Sequence, residues 1–508
     1  MASFADLSAR SSHLNHLFLT NQPPSEPEEI EIRHILTLTE DDSTTTDENG
    51  GENRHNRLDL STKCKLEAVL SRIRHVPPEL IARIFLMCIP EHIDDNDHSW
   101  STLDLTSVPW VLARVSSLWR AVAIQQHRLW AYIKIDLEHM IQNGRLKPPL
   151  AMLEATLERS GSAPLQVFFH DSYLPTVRAQ EMLSLLMAHS HRWSQLSIFI
   201  SYHHLHLTNQ VEGRLPLLQF LNIGAYGANT FPSFDGFKVA PMLRDLLVAD
   251  EWEVIDLPWE NLTSFGGVTS TSPGPFLRRA AELRWCDFYF PRGPFFSAIF
   301  EPTTRHEKLT HLTVNVIGVL SDMVLPALQE LIINKGRPHG RDLSHLTRFL
   351  EQSGGSLTAL SWNDAGIVDS ALFRTLLKNI PNLVRLEIGL PWALQESLQS
   401  NVLVPLTVTQ SWRVLPKLES IRIQFDSMDP KFQTPIAPLL DMVESRWFES
   451  ERKKVTRLQE ARITKLRVWN LNSPPAKGRI DKLLEQGLLF TFDEETYVNV
   501  TISRLTTR

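Results

Sequence analysis

The apolar residues follow two different spacings in two successive parts of the chain. From residue 58 to about residue 135, apolar residues recur at the spacing of an α-helix, and after about residue 150 they recur in short runs of the form Leu-x-x-Leu-x-Ile/Val. A helical period places apolar residues on stripes of a helix, whereas alternation at the fourth and sixth positions of the short run gives a strand with one buried face. The sequence therefore predicts an α/β chain that begins with helices and continues with strands.

The short apolar run recurs at intervals along the second part of the chain. Clear copies begin at Leu218, Leu243, Leu309, Leu328, Leu383 and Leu418, and weaker copies begin at Trp193, Leu262, Ala280 and Leu357. The pattern resembles leucine-rich repeats, whose period is about 20–29 residues. Stacking such strands into one parallel sheet would pair their edges and bury their apolar positions together. We therefore predict an irregular leucine-rich-repeat-like solenoid with a parallel sheet over residues 190–470.

The resemblance to leucine-rich repeats is incomplete. The asparagine expected three residues past the sixth position is replaced by other residues, so scattered strands of an ordinary α/β domain remain an alternative. Residues 341–353 and 367–380 have helical spacing and would return the chain between strands. We predict a connecting or capping segment over residues 141–190 and a C-terminal cap over residues 471–508. A charged helix at 449–454 would precede the cap, and β segments at 488–492 and 497–502 would form it.

A short apolar segment from Val76 to Pro90 is the most distinctive part of the helical region. Pro77 and Pro78 suit the first turn of a helix, where a missing N–H costs nothing, and Pro90 ends it. The apolar residues between them occupy more than one helical stripe: Leu80, Ile81, Ile84, Phe85, Met87 and Cys88. A small helical unit cannot bury them all, so part of this surface is expected to meet a partner.

An ordered set of residues over roughly 72–135 resembles an F-box of the form common in fungal proteins. The set comprises Pro77, Pro78, Glu79, Leu80, Ile84, Phe85, Pro109, Trp110, Val115, Trp119, Arg120, Leu129 and Trp130. The sequence departs from the family pattern at Val76, Ser116 and His127. The alternative is that this segment is only the helical core of a larger fold. We predict an F-box-like helical module over residues 58–140.

The F-box resemblance implies a partner. It would be a small Skp-family linker and, through it, a cullin scaffold with its ubiquitin-transfer machinery. The residues predicted to bind the linker are Pro77, Pro78, Leu80, Ile81, Ile84, Phe85 and Trp119. The preceding residues 1–57 are acidic, poor in aromatics and rich in helix breakers, which predicts a disordered segment.

Composition limits where the protein works and what it binds. The chain has 508 residues, of which 43% are hydrophobic and 21% are charged, and its net charge is -7. The three cysteines are isolated, so neither a disulfide framework nor a cysteine-based zinc site is indicated. We expect a cytoplasmic or nuclear protein with no membrane segment. A nucleic-acid partner is not expected either, since such surfaces are normally basic.

Motifs that carry catalysis are missing from the sequence. It contains no Gly-x-Gly-x-x-Gly, Gly-x4-Gly-Lys-Ser/Thr, His-Glu-x-x-His or Gly-x-Ser-x-Gly. Histidines at positions 189, 191, 203, 204 and 206 could approach one another, but surface histidines beside a strand are the simpler interpretation. We therefore predict a protein that is not an enzyme and has no catalytic residues, cofactor or metal site, and a hydrolase on irregular α/β units is a distant alternative.

The outward positions of the predicted strands form a polar column where a target could bind. The column includes Asn315, Asn334, Asn363, Arg385, Glu387 and Arg422. Arg385 and Arg422 lie on neighbouring predicted strands and could form a cationic site for an acidic or phosphorylated segment. A solvated sheet face is the alternative, because sheets with one wet side alternate in the same way.

Together these observations indicate a substrate-recognition adaptor of an SCF-type E3 ubiquitin ligase. The F-box-like module would hold the Skp-family linker, the solenoid would hold an unidentified protein target, and other subunits would perform the chemistry. Co-binding would raise the effective concentration of the target at the transfer machinery. The alternative function is a non-ligase interaction scaffold with a leucine-rich-repeat-like binding surface.

Overall fold

The structure is a computed structural model of the chain. It describes residues 14–20, 22–41, 60–89, 100–142, 149–171, 176–227, 235–251, 256–269, 272–291, 303–334, 342–391, 397–425, 434–448, 454–464, 468–469 and 473–493. The chain divides into two compact units. The first consists mainly of Met1–Ser172 and Thr176–Leu186, and the second mainly of Met187–Leu505.

Helices and strands alternate along most of the described chain. The described helices are α1 (Asn15–Leu19), α2 (Glu26–Asp41), α3 (Leu60–Val69), α4 (Pro78–Met87), α5 (Leu112–Val115), α6 (Ser117–Gln125), α7 (Leu137–Gln142), α8 (Leu150–Arg159), α9 (Val177–Ala188), α10 (Gly274–Arg279), α11 (Asp342–Ser353), α12 (Ser370–Lys378), α13 (Val404–Leu406), α14 (Ile436–Trp447) and α15 (Pro474–Glu485). None of these described helices has the length and apolarity needed to span a membrane.

The described strands are mostly four to nine residues long. They are β1 (Tyr132–Asp136), β2 (Leu165–His170), β3 (Trp193–Ser201), β4 (Phe220–Tyr226), β5 (Asp245–Glu251), β6 (Ser264–Val268), β7 (Trp285–Tyr289), β8 (Thr304–Arg305), β9 (His311–Val314), β10 (Met323–Val324), β11 (Glu330–Ile333), β12 (Ala359–Trp362), β13 (Arg385–Leu390), β14 (Ser420–Phe425), β15 (Thr434–Pro435), β16 (Glu460–Thr464), β17 (Val468–Trp469) and β18 (Leu489–Asp493).

The first unit opens with a small helical core. It consists of Leu14, Leu17, Ile32, Ile35, Leu66 and Val69, which come from the α1 segment, α2 and α3. Arg74 adds a hydrogen bond, because its Nη1 donates to the carbonyl oxygen of Leu17 at 2.8 Å. The prediction of disorder over residues 1–57 is therefore wrong for the described residues 14–20 and 22–41. Helix α3 lies within residues 58–140, which were predicted to form the F-box-like module, but its Leu66 and Val69 belong to this N-terminal core.

A second core lies in the segment predicted to be the F-box-like module. It contains Ile81, Phe85, Ala113, Val122, Ala123, Leu129 and Trp130. The chain then continues into β1, which pairs in parallel with β2 from Tyr132 opposite Gln166 to Asp136 opposite His170. Strand β1 lies inside residues 58–140, where only helices were predicted. Its fully buried pattern has no alternation, which explains why the strand was missed.

The described residues of the second unit include twelve strands that pair in parallel in one sheet. Their order across the sheet is β3, β4, β5, β6, β7, β9, β11, β12, β13, β14, β16 and β18, which is also their order in the sequence. The prediction of an α/β chain with a large parallel sheet is confirmed. The finer identification of this sheet with a leucine-rich-repeat-like solenoid stays a prediction.

Most strands of this sheet begin two residues after a predicted repeat start, as β9 does after Leu309. The copy placed at Ala280 was three residues early, since Leu283 is the first buried leucine of the run that ends in β7. The helices predicted at 341–353 and 367–380 are confirmed as α11 and α12. Strand β18 confirms the β segment at 488–492, whereas 449–453 and 497–502 lie outside the described residues.

The inward side chains of the sheet form continuous buried rows. Residues at the fourth repeat position lie side by side across the strands, and these aligned positions include Leu221, Leu246, Phe265, Cys286, Leu312, Leu331, Leu360, Leu386 and Ile421. All of these side chains are buried. Each strand buries its apolar face against its neighbours, so the loss of one side chain should affect the stability of the sheet as a whole.

Truncation in this core should be costly. Leu331 is fully buried in β11, whereas the next residue, Ile332, is half-buried and points to the opposite face. Leu331→Ala is expected to lower the free energy of unfolding by roughly 2–5 kcal/mol, because it leaves a cavity in the core. Ile332→Ala removes a similar volume and is the matched control. Urea unfolding of both variants checks the difference, and equal losses would contradict the assigned faces.

Candidate functional site

Helix α4 has one face inside the module core and another face in solvent. Ile81 and Phe85 are buried, while Leu80 and Ile84 are 49% and 52% exposed and Met87 is 84% exposed. Residues spaced by three or four positions share a helix face, so Leu80, Ile84 and Met87 form one exposed apolar stripe. We call these three residues the docking stripe.

Local sequence fixes where α4 begins. Pro77 has an extended backbone, and its carbonyl oxygen accepts hydrogen bonds from the N–H groups of Leu80 and Ile81 at 3.0 and 3.1 Å. Pro78 occupies the first helical position, where it sacrifices no hydrogen bond. Pro77 and Pro78 are both exposed, so they extend the apolar surface at the start of the docking stripe.

Aromatic packing holds α4 against the rest of the module. Phe85 meets Trp119 edge-on, with their ring centres 5.0 Å apart, and Trp110 meets Trp130 in the same way at 5.0 Å. The indole N–H of Trp130 donates to the carbonyl oxygen of Ala123 at 2.7 Å. These contacts fix the buried face of α4 and thereby the direction in which the docking stripe points.

The neighbouring helix α6 is capped by a residue that departs from the F-box pattern. Ser116 has an extended backbone, and its Oγ accepts a hydrogen bond from the N–H of Trp119 at 3.1 Å. Serine is a preferred residue for such a cap, since its oxygen satisfies a free N–H at the helix start. The departure at Ser116 therefore stabilises the helix that carries Trp119.

Helix α8 also contributes to the module, although it lies in the segment predicted to be a connector. The guanidinium carbon of Arg159 lies 4.9 Å from the ring centre of Trp110 and 4.5 Å from that of Trp130. The carbonyl oxygen of Arg159 is 2.8 Å from Nδ1 of His127. The boundary predicted at residue 140 therefore separates residues that are in contact.

The structure divides the predicted linker-binding residues into two groups. Pro77, Pro78, Leu80 and Ile84 are exposed and available to a partner, whereas Ile81 and Phe85 belong to the module core. Trp119 is half-buried against Phe85. Ile81 and Phe85 can therefore act only by positioning α4. The prediction omitted Met87 as a binding residue, although its spacing of seven from Leu80 in the sequence could have identified it.

The outward face of the sheet carries the predicted target-binding residues. The side-chain amide of Asn315 makes two hydrogen bonds within the protein. Its Oδ1 accepts from the N–H of Phe290, and its Nδ2 donates to the carbonyl oxygen of Phe290, both at 2.8 Å. Asn334 is exposed and Asn363 is half-buried, each directly after a strand. Of these three asparagines, Asn334 therefore has the most exposed side chain, whereas the amide of Asn315 is already hydrogen-bonded to the backbone.

Arg385 and Arg422 lie on adjacent strands, but each has a carboxylate within reach on the same face. Arg422 Nη1 is 3.4 Å from Oε1 of Glu387, and Arg385 Nη2 is 3.9 Å from Oε1 of Glu330. In the sheet register, Arg422 lies opposite Glu387, while Arg385 lies opposite Ser420. The two guanidinium groups are thus partly neutralised, which weakens the prediction of a cationic site for an acidic target.

Strand β7 contains a group of outward residues that was not singled out from the sequence. Trp285, Asp287 and Tyr289 alternate with the buried Cys286 and Phe288, so all three point to the outward face. The ring of Trp285 is stacked on that of His311, with the ring centres 3.7 Å apart and an angle of 10° between the planes. The alternation of these three residues with two apolar residues is the sequence pattern that could have identified the group.

Burial perturbs the carboxyl of Asp287. Desolvation raises the pKa of Asp287 to about 6, and among the described residues no side chain forms a salt bridge or hydrogen bond with it. Burial also raises the pKa of Asp245, two strands away on the same face. A carboxylate that is desolvated without a compensating charge reduces stability, and such groups concentrate at functional sites.

The shift at Asp287 predicts a pH-dependent stability. Between about pH 4 and pH 6 the folded chain binds more protons at this carboxyl than the unfolded chain does. The free energy of unfolding therefore falls as pH rises through this range, and the destabilisation by Asp287 is complete above about pH 6. Asp287→Asn should therefore raise the free energy of unfolding by about 1–2 kcal/mol at about pH 8 and far less at about pH 4. Urea unfolding at both pH values measures this, with the exposed Asp481→Asn as control. A gain independent of pH would contradict it.

The histidines considered for a metal site do not form one. The ring centres of His189 and His191 are 6.4 Å apart. Burial, followed by the charge of Arg192, lowers the pKa of His189. Within the part of the chain that the structure describes, no group of three or more His, Cys, Asp or Glu side chains is arranged to hold a metal ion.

Comparison with known proteins adds no relative. No protein-family model matches the chain, and no curated protein matches it significantly. The resemblances to an F-box and to leucine-rich repeats therefore depend on the residues of this chain and on their geometry. Two features of the described residues are candidate binding surfaces: the docking stripe on α4 and the outward face of the parallel sheet.

Proposed function

We propose that this protein is the substrate-recognition adaptor of an SCF-type E3 ubiquitin ligase. Its helical module would bind a Skp-family linker and, through it, a cullin scaffold, and its parallel sheet would bind the target protein. The ubiquitin chemistry would belong to other subunits, so the chain itself would not be an enzyme. Such a complex would work in the cytoplasm or the nucleus.

The observation that carries the proposal is the two-faced helix α4. Ile81 and Phe85 anchor one face in the module core, while Leu80, Ile84 and Met87 leave an apolar stripe in solvent. Exposed apolar residues that line up on one rigid element, next to an ordered Pro-Pro-Glu opening, suit a docking site better than scattered surface residues do. The F-box resemblance supplies the identity of the partner.

The sheet supports the second half of the proposal. Twelve described strands follow sequence order, each parallel to the next, and most of them begin two residues after a predicted repeat start. This arrangement suits a leucine-rich-repeat-like solenoid, whose outward strand residues form an extended binding surface. The non-ligase scaffold would use the same surface, so the linker distinguishes the two functions.

Isolation of the complex tests the proposal. The tagged full-length chain is purified from its own cells, and the co-purifying proteins are identified by mass spectrometry. A Skp-family linker and a cullin in stoichiometric amounts would support the ligase adaptor. Recovery of the folded chain with other proteins but without linker and cullin would exclude it and favour the scaffold.

A further inference from the structure

One group of side chains on the outward face of the sheet has the composition of a site for a positively charged side chain. In β7 the carboxylate of Asp287 lies between two aromatic residues on the same face, Trp285 and Tyr289. Alternate residues of a strand are roughly 6.6 Å apart, so the two aromatic residues flank Asp287 along the strand. Aromatic faces attract cations, and a carboxylate adds a charged hydrogen bond.

The strands on either side place no charged side chain directly opposite Asp287. Asp287 lies opposite Gly266 in β6 and opposite Thr313 in β9. Gly266 has no side chain, so the β6 residue opposite Asp287 contributes no side-chain donor or charge to the carboxylate. Tyr289 is 53% exposed, and it extends this surface into solvent.

Trp285 is held in place by its other neighbours. His311 is stacked on its ring, and the two nitrogens of His311 contact different groups. Nδ1 lies 2.8 Å from Oγ1 of Thr310, and Nε2 lies 3.6 Å from Oε2 of Glu330. The indole ring is therefore oriented before any ligand arrives, which reduces the entropy that binding would cost.

Charge is distributed unevenly along the outward face. Asp245, Asp287 and Glu330 lie on β5, β7 and β11, and the described residues of β3, β4, β5, β6, β7, β9 and β11 include neither lysine nor arginine. By contrast, the strands from β13 to β16 carry Arg385, Arg422 and Arg462. The charged side chains within these strands are therefore acidic, which favours a cation at this part of the face, although Arg244 and Arg284 directly precede β5 and β7.

We propose that Trp285, Asp287 and Tyr289 bind a lysine or arginine side chain of the target protein. This inference rests on the proposed role of the sheet as the target-binding surface, and it names the chemistry of the target. Asp287 pairs with the ammonium or guanidinium group, and the two rings cover its aliphatic part. The energetic penalty of a desolvated carboxylate is then offset only when the target is bound.

A peptide pair tests the proposal on the full-length chain. The probe is a fluorescein-labelled peptide of four arginines separated by glycines, and its partner peptide has citrulline, which is uncharged and of the same shape, at each arginine. Fluorescence anisotropy measures binding to the wild-type chain, Asp287→Asn, Trp285→Leu and Asp481→Asn. Asp481→Asn is the matched control, because it removes the same charge from an exposed position on α15.

The wild-type chain should bind the arginine peptide at least tenfold more tightly than the citrulline peptide. Asp287→Asn and Trp285→Leu should each remove most of this preference, and Asp481→Asn should keep it. Equal affinity for the two peptides, equal losses from Asp287→Asn and Asp481→Asn, or no arginine-dependent binding at millimolar peptide would overturn the proposal. Thermal unfolding checks that each variant is folded. Linker binding, measured separately, shows whether the adaptor function itself fails.

Discussion

Replacing Leu80 and Ile84 together by aspartate is expected to weaken binding of a Skp-family linker by more than about a hundredfold. Each residue exposes about half of its side chain on the docking stripe. Anchors of this kind cost on the order of 2 kcal/mol when lost, and each 1.4 kcal/mol corresponds to about tenfold in affinity. The introduced carboxylates would add a desolvation penalty in an apolar interface.

A matched control separates docking from folding. Ile30 and Val177 are also exposed apolar residues on helices of the first unit, 64% and 74% exposed, so Ile30→Asp with Val177→Asp makes the same chemical change elsewhere. Both double variants should keep the circular dichroism spectrum and melting temperature of the parent chain. Calorimetric titration with the linker measures affinity, and unchanged binding by the Leu80 and Ile84 variant would remove α4 from the interface.

Replacing Arg446 by methionine is expected to lower the free energy of unfolding by about 3 kcal/mol. Arg446 in α14 is completely buried, and its guanidinium donates to backbone carbonyl oxygens. Its Nε and Nη2 lie 3.1 and 3.0 Å from the oxygen of Leu406, its Nη2 lies 3.1 Å from that of Val414, and its Nη1 lies 3.3 Å from that of Leu415. Burial lowers the pKa of Arg446 to about 9, so the group is still charged at neutral pH.

Methionine would fill part of the space but leave these carbonyl groups without their donor. A buried polar group that loses its partner costs about 1–3 kcal/mol, and three carbonyl oxygens are affected here, although removal of a buried charge offsets part of the loss. Arg348→Met, at an exposed position of α11, should change stability by less than about 0.5 kcal/mol. Urea unfolding compares the two variants. Similar stabilities would show that the buried contacts of Arg446 contribute no net stability.

The sequence was most informative where a local pattern coincided with the global fold. Repeats such as the one that begins at Leu309 predicted parallel strands, because buried residues at their fourth and sixth positions allow only one face to be inside. The two prolines before α4 predicted its start for a similarly local reason. These features need no knowledge of distant residues.

Other features depend on partners far along the chain. Leu17 and Ile32 look like scattered apolar residues in an acidic segment until Leu66 joins them in one core. Arg446 meets carbonyl groups about 30 to 40 residues earlier in the chain, and a backbone carbonyl leaves no trace in a sequence pattern. Asp287 becomes unusual only through the burial that its neighbours impose.

The same limit applies within the predicted sites. A helical wheel does not decide which stripe of α4 faces the core, so the sequence predicts linker contacts for Ile81 and Phe85 as well as for Leu80 and Ile84, whereas the structure buries Ile81 and Phe85. In the structure, the packing of Phe85 against Trp119 determines which stripe of α4 is buried. On the sheet, Arg422 was selected for its charge, but its proximity to Glu387 follows from strand register, which the repeat pattern alone does not specify fully.

Direct assembly with the linker is the measurement that tests the central claim. The purified full-length chain is mixed with a purified Skp-family linker and its cullin, and the molar mass of the eluting complex is measured by light scattering after size exclusion. The adaptor account predicts one species that contains one copy of each protein, and it predicts that the Leu80→Asp, Ile84→Asp variant elutes alone. A folded wild-type chain that elutes separately from the linker would contradict the account.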